Sequence, residues 1–127
     1  MCQICIDEPG SHSFEYIGKT CDDILIYYTC PGKATKYWDT KGILEHYEEV
    51  LEHNNNQKWI WKFDGEGFEF KHSLEITTAI GLIGILIKYG DSLSQIQIIN
   101  SNIYINTLYG MIYPFLTPEL VDKIIWI

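Results

Sequence analysis

The sequence of 127 residues contains no arginine, and its nine basic residues are all lysines. Arginine forms paired hydrogen bonds with phosphates and with the edges of guanine bases, so its absence counts against nucleic-acid binding. The net charge of −8 also opposes adsorption to an anionic membrane. We therefore predict no nucleic-acid partner, and we expect any transient membrane contact to rely on apolar side chains or one local basic spot.

Long hydrophobic runs are missing as well. The longest apolar stretch, residues 76–87, contains Gly81 and Gly84 and is shorter than the roughly 20 residues that a membrane-spanning helix needs. Residues 1–10 lack the basic start and the apolar run of a secretory signal. We therefore expect a cytoplasmic protein, peripheral to membranes at most, whose four cysteines are free thiols.

Signatures of catalysis are absent too. The pattern Gly-x-Ser-x-Gly, which places a nucleophile on a sharp turn, does not occur. The short segment Gly65-Glu66-Gly67 lacks the third glycine of a dinucleotide-binding loop. We therefore predict no enzyme activity and no cofactor.

The composition that is present is typical of one globular domain. The chain is 46% hydrophobic and 20% charged, and its length is that of a single domain with its own core. It has 21 isoleucines and a run of asparagines at 54–56. This bias indicates an A/T-rich coding sequence, as in protists, some bacteria and large DNA viruses. If the source is viral, a role as a virion component is an open alternative.

Hydrophobic patterns predict an α/β fold, with alternating or β-branched runs as strands and a period of 3.6 residues as helices. Residues 1–22 are poorly assignable, apart from one candidate strand at 13–18. The predicted order is β-α-β-α-β-α-β, with strands at 23–30, 59–64, 95–100 and 123–127, and helices from about 40, 73 and 103. Strands joined by helices need crossovers, so we predict a small mixed, mostly parallel sheet with crossover helices.

Three segments in register resemble the C-terminal half of the CRAL-TRIO lipid-binding (lipid-transfer) domain family. They are Tyr89–Asn100, Tyr113–Leu116 and Asp122–Ile124. In that family a Tyr-Pro-Glu turn leads into a strand ending Ile-Ile-Asn, a helix ends in Lys-Pro-Phe-Leu, and Lys-Ile opens the last strand. Upstream, Asp64–Phe68 resembles the family's Asp-Leu-Lys-Gly-Ile. The resemblance implies a single minimal or truncated CRAL-TRIO-like domain over residues 1–127, related in layout to SpoIIAA/STAS-like domains.

The same resemblance implies a hydrophobic ligand, with a phospholipid such as phosphatidylinositol as the first candidate, in a pocket between the sheet and a gate helix at about 103–116. Asp91 and Lys123 fall on columns that bind the inositol headgroup in some members. The competing interpretation is that Asp91 is an ordinary solvated carboxylate in a loop and that Lys123 is a solvated lysine at the end of a strand. The pocket and gate residues indicated are Ile60, Ile98, Ile103, Leu108, Met111, Ile112, Phe115 and Leu116.

Departures from the family pattern keep a second interpretation open. Trp59 and Trp61 stand where some members carry hydroxyl residues that contact phosphatidylcholine, so indole rings should fill that space. Gly90 and Asn102 replace family prolines. The alternative is a degenerate CRAL-TRIO/STAS-like module without ligand, which acts in protein interaction or structure. A homodimer or another protein partner fits either interpretation.

The cysteines and histidines form the remaining candidate sites. Cys2 and Cys5 make a C-x-x-C motif that could bind zinc together with His12, Cys21 and Cys30. This spacing matches no zinc-finger pattern, so we predict ordinary thiols and no metal. His46 and His53 should lie on the solvated side of an amphipathic helix. His72 precedes a predicted helix and has no identifiable partner.

Overall fold

The computed structural model describes residues 2–127, which form five strands, six helices and two short 3-10 turns. The strands are β1 (Glu15–Lys19), β2 (Leu25–Thr29), β3 (Trp59–Asp64), β4 (Leu93–Ile99) and β5 (Ile124–Trp126). The helices are α1 (Gln3–Asp7), α2 (Thr40–Glu52), α3 (Phe70–Ser73), α4 (Ile76–Lys88), α5 (Ile103–Ile112) and α6 (Pro118–Lys123). The 3-10 turns are Pro31–Lys33 and Tyr113–Phe115.

The strands form one sheet in the order β1-β2-β3-β4-β5, so every strand neighbours the next one in the sequence. Only the β1–β2 pair is antiparallel, and β2 to β5 are parallel to one another. The predicted α/β class with a mixed, mostly parallel sheet is therefore confirmed.

Helices α2, α4 and α5 pack in sequence on one face of the sheet, with α4 in contact with both of the others. Side chains alternate along a strand, so this face receives every second residue of β3, namely Trp59, Trp61 and Phe63. The core between sheet and helices is rich in aromatic rings. Phe14 stacks on Tyr47 with 3.9 Å between ring centroids, and Tyr47 meets Trp61 edge to face.

Local capping explains where several helices begin. The Asp39 carboxylate accepts a hydrogen bond from the amide of Gly42 at 3.2 Å and starts α2. Thr117 does the same for α6 through the amide of Leu120, and Pro118 occupies the first helical position, where proline is well tolerated. These caps fix the helix starts independently of the core.

The structure corrects two details of the predicted helices. The helix predicted from about residue 73 begins only at Ile76, because residues 70–73 form the separate helix α3. The N-terminal segment, where no helix was predicted, contains α1. Among residues 2–127, no helix is both long and apolar enough to cross a membrane.

Candidate functional site

An apolar cavity of about 110 Å³ lies between the sheet and helices α4 and α5. Its floor is built by cross-strand neighbours on one face of the sheet: Phe63 of β3 pairs with Ile98 of β4, and Ile98 pairs with Trp126 of β5. None of the side chains that line the cavity carries a charge. They are Trp61, Phe63, Ala79, Leu82, Ile83, Leu86, Ile96, Ile98, Ile105, Leu108, Tyr109, Ile112, Leu116, Ile124 and Trp126.

A second cavity of about 90 Å³ adjoins the first and has a more polar end. Four residues line both cavities, namely Phe63, Ala79, Leu82 and Leu108. The second cavity extends toward the carboxyl ends of β2 and β3, where Tyr37, His72 and Glu75 line it. The two cavities lie side by side, separated by these shared side chains, with an apolar end at β5 and a polar end at His72.

Burial favours the neutral forms of three titratable side chains on the walls of these cavities, His72, Tyr109 and Tyr47. Burial, assisted by the positive charge of Lys71, lowers the pKa of His72. Burial raises the pKa of Tyr109 and that of the fully buried Tyr47, whose hydroxyl also hydrogen-bonds to Thr29 Oγ1 at 2.6 Å. The neutral side chains favour an uncharged or apolar occupant near them.

Helix α5 covers the first cavity and corresponds to the predicted gate. Among its residues Ile105 alone is fully buried, and Ile103 is 71% exposed. The helix is fastened at its start by Asn102, whose side chain accepts from the amides of Tyr104 and Ile105 and donates to Phe68 O at 2.9 Å. Beyond Ile105, the helix contacts the core only through partly buried side chains such as Leu108 and Ile112.

The structure brings four of the eight predicted pocket residues together: Ile98, Leu108, Ile112 and Leu116 all line the first cavity. The other four residues do not line it. Ile60 is buried on the opposite face of the sheet, since it alternates with Trp59 and Trp61 along β3. Ile103, Met111 and Phe115 point to solvent, with Phe115 52% exposed.

Pocket residues on α4 were missed, although the sequence contains a signal for them. Ala79, Leu82, Ile83 and Leu86 recur at helical spacing and form one stripe facing the sheet. The helix is apolar almost all round, so the period alone does not single out this stripe. Its two glycines face elsewhere: Gly81 lies against Leu44 of α2, and Gly84 faces open space.

The predicted headgroup residues lie at the amino ends of β4 and β5. Lys123 Nζ donates to Gly90 O at 2.6 Å and so reaches the loop that carries Asp91. The Asp91 side chain is exposed, and within residues 2–127 no ion pair joins it to Lys123. Neither residue lines the two cavities. Any ligand group at this pair would therefore lie outside the cavities, beside the strand that ends with Trp126.

Both strand tryptophans are buried and hydrogen-bonded. Trp61 Nε1 donates to Thr29 Oγ1 at 2.9 Å, and Trp59 Nε1 donates to Ser92 Oγ at 3.1 Å. Trp61 forms part of the cavity wall, whereas Trp59 is enclosed in the core. The indoles thus fill space along β3, as the sequence indicates, while a cavity persists beside Trp61.

The cysteines separate into two groups. Cys2 and Cys5 lie together with His12, and the fourth member of this cluster is His46 of α2. Cys21 is exposed, and Cys30 is buried elsewhere with its thiol donating to Glu66 O at 3.3 Å. His46 is therefore half-buried rather than solvated, whereas His53 is exposed as predicted.

Comparison with known proteins gives this architecture a class: it is a CRAL-TRIO-like fold. The crystal structure of Sfh5, a CRAL-TRIO protein of the Sec14 family, matches with a TM-score of 0.72 at 14% sequence identity. The match covers 99% of this chain and 51% of Sfh5, so the chain spans about half the length of that protein. No protein-family model and no curated protein sequence matches this chain.

Proposed function

We propose that the protein binds a hydrophobic ligand between its sheet and α5, without a chemical step. The observation that carries this proposal is the uncharged cavity at the place where the CRAL-TRIO resemblance implies a lipid pocket. The lightly buried α5 supports it further, because a ligand can enter only if the cover moves.

The size of the cavities limits what can bind without movement. A cavity of about 150 Å³ accommodates benzene, and pockets for drug-sized ligands measure about 300 to 1,000 Å³. The cavities of about 90 and 110 Å³ therefore have room for a few carbon atoms in this closed arrangement. A phospholipid requires α5 to move away from the sheet, which joins the two cavities through the side chains that they share.

The finer proposal is that the ligand is a phospholipid with a hydroxylated, anionic headgroup, such as phosphatidylinositol. Lys123 offers an ammonium for the phosphate, and Asp91 offers an acceptor for inositol hydroxyls. Exposed apolar side chains on the outer face of α5 and the following 3-10 turn suit transient contact with a membrane during uptake. They are Ile103, Met111, Tyr113 and Phe115.

Lipid extraction and lipid uptake test the proposal. We expect organic extracts of the purified chain to contain lipid by mass spectrometry, and the chain to take up fluorescent lipid from zwitterionic vesicles. Leu108→Phe should fill the space between the cavities and reduce uptake severalfold while the chain stays folded by circular dichroism. Asn106→Gln is the matched control, because it enlarges an exposed polar side chain on the same helix outside both cavities.

The headgroup pair is tested separately from the cavity. Lys123→Gln and Asp91→Asn should reduce the uptake of labelled phosphatidylinositol and leave the uptake of a labelled fatty alcohol unchanged. If the variants take up both ligands as well as the wild type does, the headgroup proposal is contradicted and the cavity proposal stands.

A second candidate function is a protein-interaction or structural module that has lost its ligand. The specific observation in its favour is that Trp61 occupies part of the pocket and leaves only small cavities. The absence of lipid in extracts, together with no vesicle uptake, would contradict ligand binding and support this alternative. Light scattering then measures the molecular mass in solution. A dimer mass would indicate a second copy as the partner that covers the exposed apolar face of α5.

A further inference from the structure

A cluster of two cysteines and two histidines lies where α1, the loop after it and α2 meet. Cys2 precedes α1, Cys5 lies within it, His12 follows in the loop, and His46 comes from the middle of α2. One ligand atom from each of the four residues lies within 4.8 Å of the other three, and in both histidines it is Nδ1 that contacts a thiol sulfur. Residues far apart in the sequence thus place four metal-binding atoms around one point.

The distances in the cluster are those of a tetrahedral zinc site. Cys2 Sγ lies 3.5 Å from His12 Nδ1, and Cys5 Sγ lies 3.6 Å from His46 Nδ1. With Zn–S of about 2.3 Å and Zn–N of about 2.0 Å, a tetrahedral arrangement places sulfur and nitrogen ligands about 3.5 Å apart. These two of the four sulfur-to-nitrogen edges are therefore already at the length that a central Zn²⁺ requires, and the other edges lie within 4.8 Å.

Each histidine is also held in the orientation that metal binding needs. His12 Nε2 lies 2.9 Å from Asp39 Oδ2, and His46 Nε2 lies 2.9 Å from the carbonyl oxygen of Phe14. An acceptor at Nε2 keeps the proton there and leaves the Nδ1 lone pair directed at the thiols. A carboxylate or carbonyl behind a histidine ligand is the usual outer support of a zinc site.

We propose that Cys2, Cys5, His12 and His46 bind one Zn²⁺ ion in a closed, four-coordinate site. Both thiols lose their protons to solvent on binding, and both imidazoles bind in their neutral form. Four protein ligands leave no open position for a substrate, which is the arrangement of structural zinc. The ion fastens α1 to α2, and no side chain of α1 is otherwise buried.

The experiment measures metal on the whole chain made with a removable C-terminal tag, because a histidine tag would itself bind zinc. We expect one zinc per chain by elemental analysis. Protein stripped with chelator and given Co²⁺ should show the visible absorption of tetrahedral cobalt and a thiolate-to-cobalt charge-transfer band. Zinc added afterwards should remove both signals.

Variants distinguish this site from other cysteines and histidines. Cys5→Ser and His46→Gln should lose stoichiometric zinc and the tetrahedral cobalt spectrum. Cys21→Ser and His53→Gln are matched controls at exposed positions and should retain both. Asp39→Asn should keep the spectrum, since asparagine can still cap α2, but it should weaken zinc affinity about 10- to 100-fold because the support of His12 loses its charge.

A wild-type chain that is folded but takes up neither zinc nor cobalt would overturn the proposal, and the thiol–imidazole contacts would then be ordinary hydrogen bonds. Equal zinc binding by wild type, Cys5→Ser and His46→Gln would overturn it too. These readouts do not involve lipid, so failure of the zinc site is distinguishable from failure of the proposed ligand binding.

Discussion

Asn100 donates a hydrogen bond from Nδ2 to Oδ1 of Asp64 at 2.9 Å, across the carboxyl ends of two neighbouring parallel strands. The same carboxylate accepts from the Tyr28 hydroxyl and from the amide of Glu66. Burial acts to raise the pKa of Asp64, but these three donors outweigh it and hold the pKa below its usual range. Asp64 thus joins the ends of β2, β3 and β4 on the face of the sheet opposite the cavities.

Replacing Asp64 with alanine should lower the free energy of unfolding by about 2 to 4 kcal/mol, because three donors lose a buried acceptor. Tyr28→Phe removes only one of these donors and should cost about 1 kcal/mol. Urea unfolding followed by tryptophan fluorescence measures both. A loss below about 0.5 kcal/mol for Asp64→Ala would contradict this role.

The histidine at the polar end of the second cavity should make stability depend on pH. His72 Nδ1 accepts from the amide of Glu69 at 2.8 Å, and the ring lies against Tyr37 and Phe68. Its pKa is lowered by burial and by Lys71, although the Glu69 carboxylate acts in the opposite direction. The unfolded chain binds a proton near pH 6.5 and the folded chain binds it only at lower pH. The contribution to stability is therefore complete above that pH and decreases as the pH falls.

His72→Gln should consequently show a smaller loss of stability than wild type between about pH 7.5 and about pH 5.5, the range in which histidines titrate. Urea midpoints at the two pH values measure the difference. His53→Gln, at an exposed position, is the control and should follow the wild type. An identical pH dependence in wild type and His72→Gln would show that His72 is not responsible.

Two glycines provide a matched test of the packing of α4 and α5. A Cβ at Gly65 would collide with the Cδ1 of Ile105 and the carbonyl oxygen of Asn100, whereas a Cβ at Gly84 would meet nothing within 4 Å. Gly65→Ala should therefore destabilise the protein by about 1 to 3 kcal/mol. Gly84→Ala should stabilise it by about 0.5 to 1 kcal/mol, since alanine favours the helix. Thermal unfolding compares the two, and equal midpoints would contradict the packing at Gly65.

Local patterns in the sequence predict much of the sheet. Trp59–Asp64 alternates between large rings and other residues, and the observed strand has the predicted bounds. The same alternation places Ile60 away from Trp61, so its assignment to the pocket conflicted with the strand pattern. Ile98 was assigned to the correct face, since β4 pairs in register with β3.

Long-range contacts were not predictable from the sequence. His12 and His46 meet only because α2 packs beside the N-terminal segment, and no spacing rule relates residues so far apart. The helix α1 has no buried residue and hence no apolar period to indicate it. Similarly, the exposure of Ile103, Met111 and Phe115 depends on which side of α5 faces the sheet, and the largely apolar sequence of this helix does not determine that.

The order of the strands has a consequence for how the chain folds. Each strand pairs with its immediate predecessor, so every newly made unit of helix and strand finds its docking edge already assembled. Growth can proceed from β2 to β5 in the direction of synthesis on the ribosome. The cover helix α5 and the edge strand β5 are then among the last pieces to settle, and the proposed ligand binding requires the same C-terminal pieces to loosen.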